Sequence, residues 1–144
     1  ENGFGGNNSK NSFNHDTIGS VGAWMYNYSL GIDRDENSPG FKHFILQPTP
    51  DPDGIMTHAE GYYDSMYGRI ESSWRQENGK TVYRITVPAN TSATLFLKAP
   101  DVNRISESGT AVKSAKGIRF LKSDNGKSLF ELSAGNYSFE VQNQ

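Results

Sequence analysis

The sequence contains no cysteine among its 144 residues. Disulfide bonds, cysteine nucleophiles and zinc sites with cysteine ligands are therefore excluded. Its 14 basic and 16 acidic residues leave a net charge of −2, and no segment concentrates lysine or arginine. Nucleic acids and anionic membranes attract proteins through concentrated basic surfaces, so neither is an expected partner. The sequence also lacks an apolar run near the ~20 residues that a membrane helix requires.

Glycine and aromatic residues are well represented, with 15 glycines and 12 % aromatics. The tyrosines and phenylalanines lie mostly in short alternating stretches, which is typical of β-sheets rather than helical bundles. A chain of this length can form one domain with a substantial core. It begins with Glu1 in a glycine-rich segment that has neither an initiator methionine nor the pattern of a signal peptide. We therefore expect a fragment or a processed chain.

The segment 16–31 has the periodicity of a helix. Its apolar residues recur at helical spacing: Ile18, Val21, Trp24, Met25 and Tyr28. Asp16 or Thr17 is expected to cap its N-terminus, and Gly31 to end it in a left-handed conformation. Because a single helix of this length is marginal in water, it must pack against other elements.

The sequence after residue 40 has the two-residue alternation of β-strands. This alternation predicts four sets of side chains that each share one face of a strand: Ile70, Ser72 and Trp74; Tyr83, Ile85 and Val87; Ala93, Leu95 and Leu97; and Tyr137, Phe139 and Val141, the last set pointing inward. Predicted strands span 41–47, 55–63, 67–76, 81–87, 92–98, 103–107, 111–114, 119–122, 128–132 and 137–142. Asn78-Gly79 predicts a tight hairpin, and turns are expected at 88–90 and 134–136. The sequence therefore predicts a mainly β protein, with one N-terminal helix followed by an antiparallel β-sandwich.

Polar residues at the predicted helix start, Asn14, His15 and Asp16, are one candidate site. They could bind a ligand, or they could only cap the helix and satisfy nearby backbone groups. His43 and His58 lie in predicted strands without further ligands at metal-binding spacing, so we expect neither a metal site nor a cofactor.

Two short motifs have ordinary explanations. Asp51-Pro-Asp53-Gly54 lacks most ligands of a calcium loop and is predicted to be a turn. Exposed tyrosine rings stack well on sugars, but Tyr62, Tyr63 and Tyr67 could equally pack on the core.

Several motifs together resemble the C-terminal end of the bacterial α-L-rhamnosidases. They occur in the same order between residues 11 and 97: Asn11-Ser-Phe-Asn-His15, Gly19-Ser-Val-Gly-Ala-Trp24-Met-Tyr26, Gly31-Ile32, Pro39-Gly-Phe-Lys-His-Phe-Ile-Leu-Gln-Pro48, Tyr63-Asp-Ser-Met-Tyr-Gly-Arg-Ile-Glu-Ser-Ser-Trp74 and Val87-Pro-Ala-Asn-Thr-Ser-Ala-Thr-Leu95. The resemblance implies that residues 1–31 end a catalytic (α/α)₆ barrel, that 32–40 form a linker, and that 41–144 form the sandwich. The upstream barrel is then the expected partner, and rhamnose-containing glycans or glycosides are the substrates.

The resemblance also implies a mechanism. Enzymes of this family invert configuration with one carboxylic acid and one carboxylate. His15, with Asn14 beside it, would contact the rhamnose in the pocket. The acid lies upstream, and Glu1 is the one candidate here for the base, although it is closer to His15 than expected. We therefore expect this chain to be inactive alone, and a periplasmic or extracellular location is favoured over the cytoplasm.

Two alternatives stay open. The chain could be an autonomous carbohydrate-binding module in which Tyr62, Tyr63, Tyr67 and Trp74 stack on a glycan. It could also be a structural accessory domain that provides an interaction or oligomerisation surface.

Overall fold

The computed structural model describes residues 26–143. Most of the predicted helix 16–31 lies outside this range. The described part of it, Tyr26–Leu30, is a short π-helical turn. Within the described residues, no helix is both long and apolar enough to cross a membrane.

The described residues are mainly β, and nine strands join into one hydrogen-bonded sheet. The strands are β1 (Ile32–Arg34), β2 (His43–Leu46), β3 (His58–Ser65), β4 (Gly68–Glu77), β5 (Lys80–Leu97), β6 (Ile105–Glu107), β7 (Thr110–Ala111), β8 (Ile118–Asp124) and β9 (Lys127–Gln142). Short 3-10 helices occur at Pro39–Phe41, Val102–Arg104 and Val112–Ser114. The mainly β class predicted from the sequence is thus confirmed.

Two long strands, β5 and β9, organise the sheet. They pair antiparallel from Lys80 opposite Gln142 to Leu97 opposite Ser128, with a register shift between Val87 and Ser92. The predicted turns at 88–90 and 134–136 are wrong, because both segments lie inside these strands. The register shift marks a β-bulge, which bends paired strands without reversing them. At this bulge Asn90 has a φ of 63°, and the Thr91 hydroxyl donates to the carbonyl of Pro88.

The bends divide the sheet into two halves. The first half contains β3, β4, β6, β7 and the parts of β5 and β9 on one side of the bends. The second half contains β1, β2, β8 and the remaining parts of β5 and β9. One pair differs from the antiparallel expectation, because β2 runs parallel to β5 with His43 opposite Ser92. Parallel strands need a long connection, and here the chain passes through β3 and β4 between β2 and β5.

The core faces predicted from alternation are confirmed. The inward positions on β4, β5 and β9 are buried: Ile70, Ser72, Trp74, Tyr83, Ile85, Val87, Ala93, Leu95, Leu97, Tyr137, Phe139 and Val141. Their apolar members belong to one hydrophobic cluster that includes side chains from both halves of the sheet. Phe130 and Phe139, one from each half of β9, lie 6.4 Å apart between ring centroids.

The predicted hairpin at Asn78-Gly79 is confirmed, since Glu77 pairs with Lys80 and Gly79 has a φ of 75°. Two local predictions differ from the structure. Residues 112–114 form a 3-10 helix rather than a strand. Ile32–Arg34, placed in the predicted connection 32–40, pairs with β2 as a strand because Ile32 is buried in the core.

Candidate functional site

The residues predicted to contact the sugar, Asn14 and His15, lie outside the described residues. The same holds for Glu1, the candidate base, and for Trp24 on the predicted helix. Their roles stay predictions. The described residues show two features that bear on function: the junction where the chain enters the sheet, and a polar face on the first half of the sheet.

The junction, defined as residues 29–31, is held by two buried side chains of β4. The indole Nε1 of Trp74 donates to the carbonyl of Ser29 at 2.9 Å. The Ser72 hydroxyl donates to the carbonyl of Leu30 at 2.7 Å. Burial makes these bonds important, because a buried carbonyl that loses its donor costs free energy.

Gly31 completes the junction. Its φ is 68°, which confirms the predicted left-handed end, and an added Cβ would lie 2.0 Å from the carbonyl carbon of Gln47. The Gln47 amide donates to the Gly31 carbonyl at 2.9 Å, and the Thr49 amide donates to the Ser29 carbonyl at 3.2 Å. The path of the chain into β1 is therefore set by the core and by neighbouring backbone.

The aromatic residues of the alternative sugar-binding hypothesis are separated by the fold. Trp74 is 1 % exposed, so its proposed stacking on a glycan is wrong. Tyr63 stacks on Phe41 with ring centroids 4.6 Å apart. The Lys42 ammonium lies 5.3 Å from the ring centroid of Tyr67. Tyr62 alone of the four lines the polar face described next.

The polar face lies on the side of β3, β4, β5 and β9 that points away from the core. Strand register aligns its side chains into two rows. The first row crosses the four strands in the order Tyr62, Glu71, Thr86 and Asn136. The second row, in the same strand order, contains Glu60, Ser73, Arg84 and Ser138.

These rows line an open groove of about 800 Å³. The Thr86 hydroxyl donates to a Glu71 oxygen at 2.7 Å, which orients that carboxylate within the first row. The groove therefore combines carboxylates, a guanidinium, an amide and hydroxyls, and these groups can both donate and accept hydrogen bonds.

Tyr62 is positioned by an ion pair outside the groove. The guanidinium of Arg69 lies 3.7 Å from the Tyr62 ring centroid. Arg69 donates to both carboxylate oxygens of Asp64, from Nε at 2.8 Å and from Nη2 at 3.3 Å. The hydrogen bonds to Asp64 raise the pKa of Arg69, so the guanidinium stays charged over the ring.

The remaining polar candidates have structural roles. His43 lies between the hydroxyls of Ser92 and Thr94, at 2.7 and 2.8 Å from its ring nitrogens. The Asp51 carboxylate accepts from the amides of Asp53 and Met56, and these bonds lower its pKa. The segment is thus a turn, as predicted. Residues 26–143 include no group of three or more histidine, aspartate or glutamate side chains placed to hold a metal.

Sequence reasoning missed the anchoring role of Ser72 and Trp74. A signal was present, because Ser72 lies between Ile70 and Trp74 on a buried face. A buried hydroxyl on an apolar face needs a hydrogen-bond partner. The partner, a carbonyl 42 residues earlier, could not be identified without the fold.

Comparison with known proteins gives a consistent family. The model of the bacterial alpha-L-rhamnosidase C-terminal domain matches residues 31–112. The chain is 32 % identical over 132 residues to an alpha-L-rhamnosidase of Streptomyces avermitilis, covering 91 % of this chain and 12 % of that protein. It is 26 % identical over 132 residues to an alpha-L-rhamnosidase of Formosa agariphila, covering 92 % of this chain and 14 % of the relative. The chain thus spans a small part of the length of these relatives.

Solved structures agree with this result. The alpha-L-rhamnosidase of Streptomyces avermitilis complexed with L-rhamnose matches with a TM-score of 0.71 and 28 % identity, over 86 % of this chain and 11 % of that one. The alpha-L-rhamnosidase of Dictyoglumus thermophilum matches with a TM-score of 0.67 over 87 % of this chain and 14 % of that one. At 24 % identity, the second likeness shows the fold alone.

Proposed function

The chain belongs to the family of bacterial alpha-L-rhamnosidase C-terminal domains, and we propose that it supports the catalytic domain of a longer α-L-rhamnosidase. In this proposal residues 1–31 end a helical catalytic barrel, and the sheet that begins with β1 at Ile32 forms the next domain. The whole enzyme hydrolyses terminal α-L-rhamnosyl bonds with inversion of configuration.

The supporting role rests on the structure of the junction. The Ser29 and Leu30 carbonyls each accept a hydrogen bond from a buried β4 side chain, and Gly31 contacts the backbone of Gln47. A flexible linker would leave its carbonyls to water. This segment is instead attached to the core, so an element that precedes it would be held at a defined angle to the sheet.

Packing of the sheet supports a rigid support domain. We propose that the two halves pack face to face as a sandwich. One hydrophobic cluster contains Phe44 and Leu95 from one half and Trp74 and Phe139 from the other. A shared core of this kind resists bending between the halves, which a bracing domain requires.

The catalytic part of the proposal rests on the motif around His15. His15 and Asn14 contact the rhamnose, and the two carboxyl groups needed for inversion come mainly from upstream residues. Glu1 is the single acidic residue ahead of His15 and the candidate base. One carboxyl group cannot act as both the acid and the base of an inverting reaction, so this chain alone is inactive.

A chimera tests this function directly. This chain replaces the segment of the Streptomyces avermitilis alpha-L-rhamnosidase that it matches, and hydrolysis of an aryl α-L-rhamnoside is measured. The chimera is expected to release rhamnose with inverted configuration, while the isolated chain does not. His15→Ala should lower kcat/KM by about ten-fold or more, because a hydrogen bond to the sugar is lost.

His58→Ala is the matched control, since His58 is an exposed histidine on β3. It should leave kcat/KM unchanged. Equal activity of the His15→Ala and unmodified chimeras would contradict the role of His15. A folded chimera that cleaves a different glycoside would contradict the substrate.

A further inference from the structure

We propose that the polar face of β3, β4, β5 and β9 binds a short neutral oligosaccharide. The inference deepens the proposed function, because the choice of rhamnose-containing sugars rests on it. The site itself rests on the groove, on one positioned aromatic ring and on the two rows of polar side chains.

The groove has the dimensions of a ligand site. Its volume of about 800 Å³ lies within the usual range for small-molecule sites, roughly 300–1,000 Å³. Each row crosses four neighbouring strands, which corresponds to about 14 Å for three spacings of ~4.8 Å. A disaccharide or trisaccharide can lie along such a row and contact successive strands.

Tyr62 provides the stacking surface. The ring is 47 % exposed, and it lines the groove while the Arg69 guanidinium covers it from outside the groove. Asp64 holds that guanidinium through two hydrogen bonds. The ring is thus held in place before a ligand arrives, which reduces the entropy that binding would otherwise cost. An aromatic face of this kind packs on the C–H face of a sugar.

The two rows match the hydroxyl groups of a sugar. Glu60 and Glu71 accept hydrogen bonds, Arg84 donates them, and Asn136 does both. Sugar hydroxyls also donate and accept, so each can find a partner along the rows.

Charge selects against other ligands. Two carboxylates and one guanidinium line the groove, which gives no excess of positive charge for a phosphate or a nucleic acid. Protein interfaces have an apolar centre, whereas Tyr62 supplies the one aromatic ring on the outward rows. A neutral, hydroxyl-rich ligand fits this surface best.

The experiment uses the 144-residue chain without the upstream part of the proposed barrel. An α-linked rhamnose oligosaccharide is titrated into the protein while amide NMR shifts are recorded, and a β-linked glucose oligosaccharide is tested in parallel. We expect saturable shifts at Thr86 and Ser138 with the rhamnose ligand. Tyr62→Ala should weaken binding at least five-fold. Asp64→Ala should weaken it two-fold or more, because Arg69 would no longer hold the ring.

Tyr63→Ala is the matched control. Tyr63 is the next residue on β3 and is 43 % exposed, but it points to the opposite side and stacks on Phe41. Binding should be unchanged in this variant. Thermal unfolding of each variant confirms that it is folded.

Three outcomes would overturn the proposal: no saturable shifts with either sugar, shifts elsewhere on the surface, or equal affinity in Tyr62→Ala and the unmodified chain. A failure of this proposal can be distinguished from a failure of the proposed function. A chimera that hydrolyses rhamnosides beside a groove that binds no sugar would refute only the groove. Binding of the glucose ligand alone would support a neutral-sugar site and contradict the rhamnose assignment.

Discussion

At the scale of single residues, two buried tyrosines make the stability of the folded state depend on pH. Tyr83 lies between Trp74 on β4 and Phe139 on β9 in the strand register. It is 2 % exposed, and burial raises its pKa. The pKa of Tyr137 is also raised, mainly by burial and to a smaller extent by the charge of Glu107. Both side chains therefore favour the folded state while they are neutral.

The first prediction concerns alkaline pH. Below about pH 10, the ordinary pKa of tyrosine, the stabilising effect of Tyr83 is complete. Above it, the unfolded chain releases the Tyr83 proton and the folded chain keeps it, so stability falls by about 1.4 kcal/mol per pH unit from this group. Tyr83→Phe removes this contribution.

Urea unfolding between pH 8 and pH 11 is the measurement, and the unmodified chain should lose stability more steeply above about pH 10 than Tyr83→Phe. Identical slopes for the two proteins would show that Tyr83 ionises equally well in the folded state.

At the scale of elements, the junction and the bends decide the path of the chain. The junction turns at Gly31, and the hairpin between β4 and β5 turns at Gly79. Both glycines have positive φ, at 68° and 75°. Their surroundings differ, because an added Cβ at Gly31 would meet the backbone of Gln47, whereas one at Gly79 would meet nothing within 4 Å.

The second prediction compares these two positions. Gly79→Ala should cost about 1–2 kcal/mol of stability, which is the strain of a left-handed alanine. Gly31→Ala adds a clash with backbone that cannot move aside, for a further loss of roughly 1–3 kcal/mol. In the chimera, Gly31→Ala should also shorten the thermal half-life of rhamnosidase activity more than Gly79→Ala does.

Chemical denaturation of the two variants gives the free energies, and heat inactivation gives the half-lives. Equal losses at both positions would mean that the junction is not tightly held. Normal activity half-life in a destabilised Gly31→Ala chimera would contradict the bracing role.

At the scale of the whole molecule, β5 and β9 make the two halves of the sheet one unit. Both strands continue through the bends, and the core cluster includes residues from each half. Phe130 is 0 % exposed and lies near Phe120 and Phe139, with ring centroids 5.7 and 6.4 Å away. The two halves should therefore unfold together.

The third prediction tests this cooperativity. Phe130→Ala leaves a cavity in the shared core and should cost about 3–5 kcal/mol. The loss should appear equally in far-UV circular dichroism and in the fluorescence of a Trp24→Phe background, in which Trp74 in the other half is the single remaining tryptophan. Coincident transitions are the expected result for a two-state domain. Separate transitions for the two signals would show that the halves unfold independently.

The amino-acid sequence by itself determined the mainly β class, the inward faces of the long strands, the hairpin at Asn78-Gly79 and the left-handed turn at Gly31. These features depend on neighbours within a few residues, so alternation and glycine placement were sufficient to predict them. The ordered motifs also indicated the family, which the comparison of residues 31–112 confirmed.

Only the tertiary structure decided which side chains meet across strands. The segments 88–90 and 134–136 have the composition of turns, but extensive pairing on both sides of each bend keeps β5 and β9 continuous. From the sequence, Trp74 was a candidate for stacking on a sugar, but in the fold its indole donates a buried hydrogen bond to the Ser29 carbonyl. Tyr62 and Asn136 share a row because of strand register alone. Register depends on contacts between residues far apart in the chain, and local patterns do not contain that information.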